Sequence, residues 1–223
     1  SSASGMSALA LCFADFAVDY YQYDFDQQAF LRLASHWSRL GSGSACRSLF
    51  SGFSLWGQYA ETGCNEYATP IETSDFWQGF RDSILVVSGQ EKKVSSRAGH
   101  GHMKGHPFAE SRYKEAKEHI DQSLNYLKEN NWNALGELLE REAFTLHALM
   151  MSGKNPFTLL KPQTLNWIER LQTFRAESNV PVYFTLDAGP NLHLLYPGNY
   201  QDEVKAWLKK EMEKHPLELI IHD

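Results

Sequence analysis

No stretch of this sequence approaches the roughly eighteen consecutive apolar residues that a bilayer-spanning helix requires, so no membrane segment and no membrane partner are expected. Cysteine is scarce. Cys12, Cys46 and Cys64 form neither a C-x-x-C pair nor a Cys/His spacing suited to zinc. Three thiols cannot all pair, and a chain of 223 residues buries enough surface to fold without staples. Reduced thiols in a cytoplasmic protein are therefore expected. Basic residues are outnumbered, 21 Lys and Arg against 27 Asp and Glu, and the resulting charge of −6 argues against a broad nucleic-acid surface. It leaves room for a phosphate ligand, because backbone N–H groups and one or two cations create a local field. Internal repeats and low-complexity tracts are also missing.

What is present reads as an ordinary globular protein, 43% hydrophobic and 22% charged, long enough for one large domain or two small ones. Small hydroxyl residues (Ser1, Ser2, Ser4) precede an Ala-rich apolar run, which predicts an N-cap leading into a buried helix over 1–20. Phe30, Leu31, Leu33, Ala34, Trp37 and Leu40 give a second helix over 26–40. It stops at Gly41-Ser42-Gly43-Ser44, and a further helix is expected to start over Ala45–Phe50. Short strands are expected at Phe53–Trp56 and Tyr67–Ile71. The chain opens within a helix start and closes as a strand finishes, so we expect a piece of a longer protein.

A boundary is expected near residues 73–80, dividing the chain into domains 1–78 and 79–223. Residues 83–88 form a buried-strand run, followed by a long polar loop, GQEKKVSSRAGHGHMKGHP, of a length that is often functional. Two antiparallel helices follow, with apolar residues Tyr113 to Leu127 and Leu135 to Met150 at helical spacing and a joint at Asn130-Asn131. A helix over Gln163–Ala176 leads to a hairpin, Val182–Leu186 and Leu192–Tyr196 around a turn at Asp187–Asn191. A helix over Gln201–Lys214 and a strand over Leu217–Ile221 complete an α+β layer pattern.

Four segments could carry chemistry, and each admits a plainer reading. Ser1-Ser2-Ala3-Ser4-Gly5 suits a phosphate cradle at a helix N-terminus, with hydroxyls able to reach Mg²⁺, or it is a simple N-cap. Gly41–Ser48 places alternating Gly and Ser before Arg47, whose guanidinium can fork onto a carboxylate, or it is a linker with a surface arginine. Lys92, Lys93, Ser95, Ser96 and Arg97 follow a buried strand, where ligands often bind, or they form a solvated loop. Asp187 ends an apolar run and is a candidate base or orienting group, or it makes an Asx turn. His100, His102 and His106 could bind a metal, though no Cys or carboxylate of matching spacing completes a site. His147 reads as a satisfied, partly buried histidine.

Taken together and in this order, the segments resemble the mevalonate diphosphate decarboxylase family of the GHMP kinase superfamily. SSASG is similar to the end of that family's GLASSASG phosphate loop. GSGSACRS, KKVSSRAG, REAFTLHALMM and FTLDAGPN resemble further family segments, and the match runs from Ser1 to about Tyr196. The resemblance implies a two-domain α+β GHMP kinase fold: a ribosomal-protein-type N-terminal domain, truncated here, and a ferredoxin-like C-terminal domain, with the site in the cleft between them. It implies ATP-dependent decarboxylation of mevalonate 5-diphosphate to isopentenyl diphosphate, with ADP, phosphate and CO₂ released. ATP and Mg²⁺ are the implied cofactors, and a homodimer is common in the family.

By the same resemblance, Ser1, Ser2, Ala3 and Ser4 would bind ATP phosphates, with Ser2 near Mg²⁺. Ser42, Gly43, Ser44, Ser96 and Arg97 would hold the substrate diphosphate, Arg47 its carboxylate, and Asp187, next to Ala188, would face the C3 hydroxyl. Asn191, His147 and the lysines would be supporting. The family's first strands and its early Tyr and Lys residues lie outside this sequence. Three alternatives stand beside this reading. One is a related mevalonate or phosphomevalonate 3-kinase or monophosphate decarboxylase, another is a non-catalytic binding protein of the same fold, and the third is a metal-binding module at the histidines.

Overall fold

A computed structural model describes residues 2–59, 63–89 and 101–223, and the chain divides into two compact units, Ser1–Thr73 and Ser74–Asp223. No helix among the described residues is long and apolar enough to cross a membrane.

The first unit is built on two packed helices, α1 (Ser2–Tyr21) and α2 (Gln27–Gly41). Ala10, Ala14 and Ala17 are buried at helical spacing and let the second helix approach closely. Asp26 caps α2 by accepting from the Ala29 amide at 2.7 Å. Gly41, the last residue of the helix, packs against the Met6 methyl, 2.0 Å from where a Cβ would stand. Two short strands, β1 (Ser54–Leu55) and β2 (Thr69–Pro70), pair antiparallel, shorter than the sequence predicts. One further backbone bond, from the Ile71 amide to Phe53 at 2.8 Å, extends the contact.

The helix expected over Ala45–Phe50 does not form. A 3-10 turn over Gly43–Arg47 takes its place, and tertiary hydroxyls bond two of its carbonyls. Ser7 of α1 donates to Ala45 O at 2.8 Å and Ser35 of α2 donates to Cys46 O at 2.9 Å. The Ser48 and Phe50 amides fall back three residues, onto Ala45 O and Arg47 O.

The second unit contains β3 (Phe80–Val86), α3 (Ala109–Lys128), α4 (Trp132–Ser152), α5 (Pro162–Ser178), β4 (Tyr183–Leu186), β5 (Leu192–Pro197), α6 (Gln201–Met212) and β6 (Leu219–His222). The four strands form one antiparallel sheet in the order β4-β5-β3-β6. Strand–helices–strand–strand–helix–strand in this spatial order is the ferredoxin-like arrangement. Helices α3 and α4 run antiparallel: Arg112 and His119 both meet Glu142, while His106, ahead of α3, meets Leu149. Asn130 supplies the left-handed turn between them (φ 55°) and Asn131 caps α4 through the Ala134 amide at 3.2 Å. α5 opens on Pro162, whose missing N–H costs nothing at that position.

Burial alternates along β3 and β5, as expected for a sheet with one packed face. Leu85, Leu192, Leu194 and Tyr196 face Trp167, Ile168 and Leu171 of α5 and Val204 and Leu208 of α6, and this is the core. α4 lies against β4 with Gly136 at the contact. A Cβ there would come within 2.3 Å of the Tyr183 ring. Gly136→Ala is therefore expected to overpack this contact and cost about 1–3 kcal/mol. An unchanged urea midpoint would contradict it.

Candidate functional site

The described site residues that the sequence predicts fall in both units, on backbone segments tied to buried side chains. In the first unit, α1 begins at Ser2 with no acidic residue in its first turn. Its unpaired N–H groups and positive dipole end suit an anion. Ala3 O accepts from the Ser7 hydroxyl at 2.8 Å, which ties this first turn to the 3-10 segment that Ser7 also holds. Ser4 is engaged within the fold. Ser1 and the Ser2 side chain, the predicted Mg²⁺ contact, lie outside what the structure describes.

The 42–47 segment presents its predicted ligands outward. Ser42 and Gly43 are half-buried, Ser44 and Arg47 exposed, while Ala45 and Cys46 are buried beneath them. Gly43 lies against Trp56, whose ring would be 2.9 Å from an added Cβ. Burial pushes the Cys46 thiol up, although Arg47 and Arg39 pull the other way, and its S–H donates to Gly43 O at 3.0 Å. This is a packing cysteine, not a nucleophile. Ser35 also accepts from the Ala68 amide at 2.9 Å, so one buried hydroxyl ties α2 to the Cys46 carbonyl and to the residue just ahead of β2.

In the second unit, Asp187 follows β4 directly and is exposed. The turn that carries it is held at three points by its neighbours. His147 of α4 donates from Nε2–H to Asp187 O at 3.2 Å. Thr164, fully buried in the first turn of α5, donates to Pro190 O at 2.8 Å and accepts from the Lys161 amide at 3.3 Å. Asn191 accepts from the Ser88 amide at 3.0 Å and donates to Ser88 O at 3.2 Å, clamping the turn to the chain leaving β3. Ala188 is half-buried and Gly189 buried, so the turn points its one carboxylate into solvent from a fixed backbone.

His147 is 2% exposed, and burial pushes its pKa down, against the pull of the Asp187 carbonyl. A neutral imidazole with its proton on Nε2 follows.

Lys92, Lys93, Ser96 and Arg97 lie outside the described residues, as does His100. Of the other two histidines in that cluster, His106 is buried, with Nδ1 accepting from the Phe108 amide at 3.1 Å and Nε2 donating to Leu149 O at 3.0 Å. Both nitrogens are committed, leaving no lone pair for a metal. Among the described residues no group of three His, Cys, Asp or Glu side chains could hold an ion. Sequence reasoning missed Ser7, Ser35, Ser88 and Thr164. Each acts through hydrogen bonds to residues distant in sequence, which leave no local pattern to read.

Two family models match the chain: the mevalonate 5-diphosphate decarboxylase C-terminal domain over residues 83–219, and the diphosphomevalonate decarboxylase-like N-terminal domain over residues 1–68. A diphosphomevalonate decarboxylase of Candida albicans is 28% identical over 97% of this chain and 58% of its own length. The mevalonate diphosphate decarboxylase structure from Staphylococcus aureus aligns at a TM-score of 0.80 and 28% identity, covering all of this chain and 63% of that one. A second structure, MDDEF in complex with MVAPP, AMPPCP and magnesium, aligns at 0.82 and 28% identity, covering all of this chain and 65% of that one. The chain spans about half the length of the curated relatives it matches.

Proposed function

This chain belongs to the mevalonate 5-diphosphate decarboxylase family, and on that premise we propose that it carries out, in the polypeptide it is part of, the ATP-dependent decarboxylation of mevalonate 5-diphosphate to isopentenyl diphosphate. The observation that carries this reading is the Asp187 turn. A solvent-facing carboxylate is fixed at the end of a buried strand through His147, Thr164 and Asn191, while its own side chain is left outward. A tertiary alcohol is a poor nucleophile, and a positioned carboxylate either takes its proton or aligns it. Asp187 fills that role at the C3 hydroxyl, and its negative charge favours the positive charge that develops at C3 as phosphate leaves.

Arg47, outward on its 3-10 turn, pairs with the substrate carboxylate that departs as CO₂. Ser42, Gly43 and Ser44, with Ser96, Arg97 and the Ala188 backbone, hold the substrate and its diphosphate. Ser1, Ser2, Ala3 and Ser4 receive the ATP phosphates at the acid-free start of α1, with Ser2 beside Mg²⁺. ATP supplies the phosphoryl group that turns the C3 hydroxyl into a leaving group, and Mg²⁺ neutralises its charge. The binding of MVAPP, AMPPCP and magnesium by the structural relative supports this set of ligands. The reading places the chain in the cytoplasm, as a homodimer.

The test supplies mevalonate 5-diphosphate and Mg·ATP to the longest polypeptide carrying this sequence and follows ADP and CO₂ together. Equal release of both is the expected result. ADP without CO₂ would make it a kinase of the same fold, and release of neither would reject the reading.

A further inference from the structure

Ser7 lies in the second turn of α1 and is 5% exposed. Its hydroxyl stands 2.8 Å from two carbonyl oxygens, Ala3 O one turn back and Ala45 O in the 3-10 segment. A hydroxyl has one proton to donate, so the two bonds are not both complete at once. Neither carbonyl depends on it. Ala45 O also accepts from the Ser48 amide at 3.0 Å, and Ala3 O belongs to the backbone ladder of α1. The proton therefore passes between two acceptors at equal distance without leaving either one unpaired.

The neighbouring ties are one-sided. Ser35 donates to Cys46 O and accepts from the Ala68 amide, so its proton has a single destination. Met6, beside Ser7, packs against Gly41 just ahead of the 3-10 segment and donates nothing. Ser7 alone divides its bond between the start of α1 and the 3-10 turn. Ala3 is one of the residues proposed for the ATP phosphates. Ala45 directly follows Ser42, Gly43 and Ser44, proposed for the substrate diphosphate.

We infer that Ser7 is a positioning residue that couples these two binding segments through its shared proton. This rests on the ligand assignments proposed above. Being buried, Ser7 acts through the two carbonyls and not on a ligand. A ligand that orders one segment lowers the cost of ordering the other, which gives positive coupling without a change of fold.

The test uses calorimetric titration of the longest polypeptide carrying this sequence, measuring affinity for Mg·AMPPCP with and without saturating mevalonate 5-diphosphate. In the wild type the substrate should tighten nucleotide binding about fivefold or more. Ser7→Ala should shrink that factor by about threefold or more, with each ligand still binding alone. Its melting midpoint should stay near wild type, because both carbonyls keep their amide donors. Ser7→Thr, which keeps the hydroxyl, should restore the factor. Ser35→Ala is the structural control: it removes a buried anchor and should lower the melting midpoint while leaving the factor near wild type. Independent binding in the wild type, an unchanged factor in Ser7→Ala, or an equal loss in Ser35→Ala overturns the inference. Coupled binding without CO₂ release would reject the reaction and leave Ser7 its role, and failure of either ligand to bind would overturn both.

Discussion

Asp187→Ala is expected to cut release of ADP and CO₂ in parallel, by about 10²–10⁴ in kcat, the range for loss of a positioned acid–base group. Both products should fall together because the carboxylate acts before either bond is broken, at the C3 hydroxyl. KM for Mg·ATP should change little, since the ATP ligands proposed here lie in the other unit, on α1. Stability should also be preserved. The Asp187 side chain is exposed, and the turn is held through its carbonyl by His147, through Pro190 O by Thr164 and through Asn191 to Ser88. Deleting the carboxylate removes none of these bonds. An inactive variant with a wild-type melting curve is therefore the informative outcome. Asp187→Asn separates charge from shape: it keeps the size and one acceptor, so a loss as deep as that of alanine assigns the effect to charge. Near-normal turnover in Asp187→Ala would overturn the role given to this residue.

Local periodicity made most of the second unit legible. The paired helices, their joint at Asn130-Asn131 and the Asp187–Asn191 hairpin all follow from patterns contained in a few consecutive residues. The miss over Ala45–Phe50 has a matching cause. That segment has helical propensity, but Ser7 and Ser35, distant in sequence, anchor its carbonyls in the 3-10 turn, and tertiary bonding outweighs a weak local preference. The site divides in the same way. Motifs point to outward side chains such as Asp187 and Arg47, which neighbours in sequence identify. What makes those side chains stationary is Thr164 under Pro190 and Asn191 on Ser88, contacts spanning 26 and 103 residues that no short pattern encodes. Gly136 belongs with them: nothing in WNALGELLE announces that the Tyr183 ring fills the space beside it.

Glu140→Ala is expected to be the most damaging single change to stability, at about 3–5 kcal/mol, the cost of breaking a buried ion pair by removing one partner. Glu140, on α4, is 7% exposed. It takes a two-pronged grip from Arg175 of α5, 2.6 Å from Nη1 to Oε1 and 3.1 Å from Nη2 to Oε2, and accepts from the Phe184 amide of β4 at 3.3 Å. Arg175 also donates to Val182 O at 2.8 Å and lies over the Tyr183 ring at 4.3 Å. One carboxylate thus joins two helices to the strand that delivers Asp187. Its removal leaves a guanidinium that burial disfavours, a penalty at present outweighed by the hydrogen bonds and charge of Glu140 together with the charges of Tyr183 and Glu137. Against a typical total of about 5–15 kcal/mol, the loss is a large share of folding stability. The explanation makes a sharper demand on the double variant. If the uncompensated charge is the main cost, Glu140→Ala with Arg175→Met should be more stable than Glu140→Ala alone, because methionine fills the space without a charge. A double variant less stable by the simple sum of the two single losses would show that the cost lies in lost packing across the three elements instead.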